Sequence, residues 1–316
     1  MGFSSIEEEL RVRRLRKDME RMVEDYFESK GFSLIEPDIF LNYDDFLLSN
    51  YNFDSTKTIK VFGGNSKIYV LRPDITLNIL GKIFAGWEAN NPLKIYYNSK
   101  IYSNSPDGSI GQNYQVGVEF LGEEALKADK EIFEIVIHLL ENLKTPYVLE
   151  LASSLYLDSY FADLNLDMKD EKTVKKHIRN KNKHELLSTL NRLGIKGILE
   201  VVLDMEGNME DVINMARKYP TNRDMEKALD YLDSLVDFFK QRNLMNRINL
   251  DLSMMPDLDY YDGIVFKGYC QGVAKKIISG GRYDKLTERF GKRVPAVGFM
   301  MDMDVATQLI YRGDNQ

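Results

Sequence analysis

The chain has 316 residues, 44% of them hydrophobic and 29% charged, with a net charge of −7. This is a soluble globular composition with enough length for one large core or two domains, and the acidic balance argues against nucleic-acid binding. The single cysteine, Cys270, excludes an intrachain disulfide and a cysteine zinc site and suits a reducing cytoplasm. No apolar run approaches the ~18 residues of a membrane span, and the charged N-terminal helix lacks a signal-peptide core.

Ser4 and Ser5 ahead of Glu7 and Glu8 make a doubled capping pattern. Ile6, Leu10, Leu15, Met19, Met22, Val23, Tyr26 and Phe27 then follow at helical spacing until Gly31. Phe32 to Pro37 alternates like a strand whose end Pro37 marks. Residues 38–56 are polar and are expected to be irregular. Thr58 to Phe62 and Lys67 to Leu71 flank Gly63-Gly64-Asn65-Ser66 and predict a hairpin. A phosphate loop there is disfavoured, because no helix follows the glycines.

Leu71-Arg72-Pro73-Asp74-Ile75-Thr76-Leu77 leads from that strand into a helix over Thr76 to Phe84. Pro73 presets the backbone for the helix start. Asp74 and Thr76 then stand at its N-terminus, either as an ordinary cap or facing a ligand. Lys94 to Tyr102 and Asn113 to Leu121 predict two strands joined through Ser105-Pro106-Asp107-Gly108, followed by a helix from about Glu123 to Leu143 and a strand from Tyr147 to Leu151. Short turns between strands favour an antiparallel sheet in an α+β fold.

From about residue 165 to 245 the chain turns rich in Lys, Arg and Glu with helical periodicity. This predicts an inserted helical module between a first core segment at 1–164 and a second at 246–316. Its basic stretch, Lys172 to Lys183, is read as a solvated face rather than an RNA contact. Strands are expected at Ile248 to Leu252, Tyr260 to Phe266, Lys275 to Ile278 and Ala296 to Phe299, with a last helix from Met303 to about Tyr311.

Five stretches stand out together: Leu71 to Thr76; Gln115-Val116-Gly117-Val118-Glu119; Leu258-Asp259-Tyr260-Tyr261-Asp262-Gly263; Gly280-Gly281-Arg282-Tyr283-Asp284-Lys285-Leu286; and Pro295 to Phe299. In this order, around a helical insertion, they resemble the class II synthetase core of histidyl-tRNA synthetase over residues 6 to 311. The resemblance implies an antiparallel sheet flanked by helices, and a self-dimer formed through the first helix and the Pro37 strand. It also implies a histidine pocket. Asp74, Thr76 and Gln115 match the positions that hold the ammonium. Glu119 and Tyr261 match those that bracket the imidazole, and Tyr260 and Tyr283 match the pocket wall. The chemistry agrees, since an ammonium wants a carboxylate and oxygen acceptors. Alternation puts Gln115, Gly117 and Glu119 on one strand face, opposite Val116, Val118 and Phe120. The rival reading of Glu119 is a carboxylate facing solvent. Asp74 departs from the family pattern, which has glutamate there.

The cations that adenylate chemistry needs on phosphate are missing. The three matching positions carry Tyr102, Pro256 and Val305, the last close to Asp302 and Asp304, which are expected to repel phosphate. No anticodon-binding domain is expected after the core. A histidine pocket without this apparatus resembles the regulatory subunits of ATP phosphoribosyltransferase. That resemblance implies a non-catalytic chain that partners a short-form catalytic subunit, is needed for its activity, and confers feedback inhibition by L-histidine. No cofactor, metal, nucleic acid or membrane partner is expected. A truncated histidine ligase and a stand-alone histidine sensor are the alternatives.

Overall fold

The computed structural model describes residues 5–49, 55–105, 107–256 and 260–313. Ser4, Pro106, Leu258 and Asp259 of the stretches above lie outside them. Ser5 alone supplies the described N-cap of α1 (Ile6–Ser29), accepting from the Glu8 N–H at 3.2 Å. Val12, Met19, Val23 and Phe27 form its buried stripe, whereas Ile6 and Leu10 point outward. The expected stripe therefore holds only beyond the first two turns. Gly31 ends the helix at φ +82°, where a side chain would be strained.

The strand expected at Phe32 to Pro37 shrinks to β1 (Ser33–Leu34), parallel to β5 (Leu93–Asn104). The stretch expected to be irregular instead contains β2 (Phe40–Asn42) and α2 (Tyr43–Ser49). Asn42 explains the turn between them, because its side-chain oxygen accepts from the N–H groups of Asp44 and Asp45. The predicted hairpin forms as β3 (Lys60–Phe62) and β4 (Ile68–Leu71), but it joins β2 in a small separate sheet of order β2-β4-β3. A 3₁₀ turn, not a phosphate-binding helix, follows Gly63. The next helix is α3 (Thr76–Phe84), with the predicted bounds.

Strand β5 and β6 (Ile110–Leu121) make a long hairpin, and α4 (Ala125–Asn142) and β7 (Tyr147–Ser153) follow. The helical run begins earlier than composition suggests, with α5 (Ser154–Leu164), then α6 (Met168–Arg179) and α7 (Lys183–Leu193). After it come β8 (Glu206–Gly207), α8 (Met209–Ala216) and α9 (Arg223–Gln241). Strand β9 (Ile248–Asp251) then pairs parallel with β7, as a long crossover permits. The chain closes with β10 (Ile264–Cys270), β11 (Ile278–Arg282), α10 (Asp284–Thr287), β12 (Ala296–Asp302) and α11 (Met303–Gly313). Two strands sit later than expected: Tyr260 and Tyr261 precede β10, and Gly280-Gly281-Arg282 lies inside β11.

Among the described residues the main sheet has nine strands in the order β1-β5-β6-β12-β11-β10-β7-β9-β8. Only the β1/β5 and β7/β9 pairings are parallel. Alternation sorts the two faces. Tyr96, Val116, Val118 and Phe120 join the cluster formed with α1, α4 and the inserted helices, so the insertion shares that core. Ile95 and Tyr97 turn to the other face and pack with Ile75, Ile79 and Leu80 from the start of α3. The stretch around Pro73 thus roofs the second face.

Candidate functional site

A cavity of about 200 Å³ opens between α3 and the second face of the sheet, and Asp74, Thr76, Gln115, Glu119, Tyr260, Tyr261 and Tyr283 all line it. Residues spread over more than two hundred positions meet because β6, β12, β11 and β10 are adjacent.

Glu119 is the centre. It is 2% exposed, which overturns the solvent-facing alternative. The Thr76 hydroxyl donates to Oε1 at 2.7 Å and the Tyr283 hydroxyl donates to Oε2. Burial pushes the Glu119 carboxyl up to about 8. The two hydroxyl bonds pull the other way, and Asp74 adds to the rise. Burial and the neighbouring Glu119 charge raise the Tyr283 hydroxyl well above its ordinary value, so it stays a donor.

Asp74 serves as a helix cap and also lines the cavity. One oxygen accepts from the Leu77 N–H at 2.9 Å and serves as the cap of α3. Protein surrounds the carboxyl, which nevertheless lines the cavity, and burial raises its pKa. Gln115 donates from Nε2 to Asn113 Oδ1 at 2.8 Å, and Asn113 donates in turn to Asp302. The amide nitrogen is thereby engaged, and the Gln115 carbonyl oxygen is the acceptor end of the side chain. Tyr260 packs edge-on against Tyr283 and tilted against Tyr261. The cavity therefore has a carboxyl end, amide and hydroxyl acceptors, and aromatic walls, a chemistry suited to a small cation with a flat ring.

The floor depends on glycines. A Cβ on Gly117 would stand 2.4 Å from the Tyr97 hydroxyl oxygen, one on Gly298 would stand 1.9 Å from Glu119 Oε2, and one on Gly281 would stand 2.7 Å from the Tyr261 ring. In each case a large side chain lies flat where the glycine has none. Tyr97, Lys267, Lys276, Ser279 and Met300 also line the cavity and were not singled out from the sequence. The signal for Tyr97 is its pairing with Gly117, which becomes visible only once the register is known.

None of the three substituted positions itself carries a cation, although Lys172, Lys175, Lys176 and Arg179 line a second cavity with Pro256 and Tyr261. Tyr102 donates its N–H to the Arg72 carbonyl at 3.0 Å. The Arg72 guanidinium is buried and bonds the carbonyls of Lys100 and Pro37. Val305 is buried and donates its N–H to Asp302. Asp304 is paired with Arg16, so its charge is offset rather than free to repel phosphate.

The family model for histidyl-tRNA synthetase matches residues 8–306. The ATP phosphoribosyltransferase regulatory subunit of Clostridium novyi is 33% identical over 313 residues, 96% of this chain and 72% of that protein. That of Oceanobacillus iheyensis is 28% identical over 299 residues, 93% of this chain and 74% of that protein. Among solved structures, a Bacillus halodurans ATP phosphoribosyltransferase regulatory subunit/histidyl-tRNA synthetase superposes with a TM-score of 0.85 at 22% identity, covering 98% of this chain and 82% of its own. A histidine–tRNA ligase subunit from Alicyclobacillus acidocaldarius gives 0.80 at 19% identity, covering 100% and 97%. The chain belongs to the family of ATP phosphoribosyltransferase regulatory subunits, built on the class II core of histidyl-tRNA synthetase.

Proposed function

We propose that this chain binds free L-histidine in the cavity and acts as the regulatory subunit of a cytoplasmic ATP phosphoribosyltransferase, the glycosyltransferase of the first step of histidine biosynthesis. On this reading a short-form catalytic subunit needs the chain for activity, and histidine inhibits the complex through it. The observation that carries the reading is Glu119, enclosed and gripped by Thr76 and Tyr283 in one cavity with Asp74 and Gln115. An imidazole nitrogen is the partner this carboxyl suits, and an ammonium suits Asp74, Gln115 and the lone pairs of the Thr76 hydroxyl, whose proton goes to Glu119. Tyr102, Pro256 and Val305 supply no phosphate-binding cation, which disfavours the ligase reading. Inhibition follows by linkage if histidine prefers one state of the complex. We further propose a self-dimer through α1 and β1. Among the described residues no helix is long and apolar enough to cross a membrane.

The test mixes the chain with a short-form transferase subunit and follows phosphoribosyl-ATP formation with and without histidine. Activity that appears only in the mixture and falls with histidine supports the proposal. Histidine binding without any effect on the transferase favours the stand-alone sensor.

A further inference from the structure

Lys267 and Lys276 line the same cavity as Asp74 and Glu119. The strand register shows how the opposite charges are separated. One row across the sheet reads Tyr97, Gly117, Met300, Ser279, Lys267. The next reads Glu119, Gly298, Gly281, Val265. Lys267 is thus three strands from the strand of Glu119, roughly 14 Å of sheet. Between them the floor is mostly glycine and serine. Glu119 and Lys267 therefore stand on strands at opposite sides of the cavity floor, and the row of Lys267 continues to Glu150, its cross-strand neighbour on β7.

A ligand that matches this polarity carries a cation at one end and an anion at the other. A free α-amino acid does. Two other positions do not supply a partner for its carboxylate: Pro256 carries no charge, and the Arg72 guanidinium is committed to two backbone carbonyls. We propose that Lys267, assisted by Lys276, holds the α-carboxylate of the bound amino acid. This rests on the histidine reading of the cavity. Lysine suits the task as a flexible point charge with three donors that can follow the ligand. Both lysines also interact with protein groups, so a bound carboxylate would join or displace those contacts.

The test is calorimetry on the full chain with L-histidine and with histamine, which keeps the imidazole and the ammonium but lacks the carboxylate. The wild-type chain should prefer histidine. Lys267→Gln should weaken histidine about tenfold or more while histamine holds or tightens, because a repelling charge is gone. Lys267→Arg should retain much of the preference, and Lys276→Gln should show a smaller loss of the same kind. Unchanged histidine affinity in Lys267→Gln, or equal losses for both ligands, overturns the assignment. Wild-type chain that binds histamine as well as histidine overturns it too, while sparing the imidazole pocket. Absence of binding by either ligand overturns the histidine reading itself, and the lysine assignment with it.

Discussion

The Glu119 carboxylate lies over the bare backbone of Gly298, its cross-strand partner, where an added Cβ would stand 1.9 Å from Oε2. The carboxylate and the residue that makes room for it thus come from different motifs. The same Cβ would stand 2.6 Å from the Val118 carbonyl, so backbone as well as side chain would have to shift. Gly298→Ala is expected to destabilise the chain by about 1–3 kcal/mol and to abolish histidine binding. A double-mutant cycle in denaturant with Glu119→Ala should show coupling between the two sites. Strict additivity would separate Gly298 from the carboxylate.

Glu119 should leave a signature in the pH dependence of stability. Burial holds its folded-state pKa at about 8, against ~4.3 for an unfolded glutamate. Between these values the folded chain keeps a proton that the unfolded chain has released. Stability therefore falls as pH rises through this window, by up to about 5 kcal/mol, and levels off above it. Asp74, also raised by burial, acts in the same direction. Glu119→Gln should flatten the curve and gain stability at the alkaline end. Denaturation midpoints from pH 5 to 9 check this. A wild-type curve that climbs across the window would contradict it.

Glu119→Ala should weaken histidine binding by about 1–3 kcal/mol or more, because an imidazole nitrogen would be left unpaired in a closed site. Tyr283→Phe should cause a smaller loss, since it frees rather than removes the carboxylate. Calorimetry at fixed pH distinguishes the two. Equal affinity in Glu119→Ala and wild type would place histidine elsewhere.

The isolated chain should not exchange pyrophosphate into ATP in the presence of histidine. Each missing oxyanion-type donor typically costs ~2.7–4 kcal/mol, and Tyr102, Pro256 and Val305 all lack one. Exchange clearly above a blank would revive the ligase alternative.

In the complex with a short-form transferase subunit, Tyr261→Ala should resist histidine yet still assemble and make phosphoribosyl-ATP. Tyr261 lines the cavity, whereas a partner must dock on the outside of the fold. A change of ~1.4 kcal/mol in binding shifts half-inhibition about tenfold. Inhibition curves, with assembly checked by gel filtration, provide the readout. Identical half-inhibition would place regulation at the subunit boundary.

Alternation in Gln115 to Glu119, the proline-led start of α3 and the order of the motifs around a helical insertion were legible in the sequence because they are local patterns. Period-2 alternation assigns a face whatever the strand's neighbours are, and a cap acts within one turn. The segment over residues 38–56 was misread because Asn42, one capping side chain, turns a polar stretch into β2 and α2. Tyr260 and Tyr261 read as strand because aromatic residues suit strands, but ladder pairing begins only at Ile264. The tertiary structure alone decided which rows cross the sheet. The register of β5, β6, β12, β11 and β10 lays Tyr97 over Gly117 and Glu119 over Gly298. It also sets Lys267 three strands from Glu119's strand, at the other side of the cavity. Register depends on hydrogen bonds between residues up to two hundred positions apart, so no local pattern in the chain can reveal it.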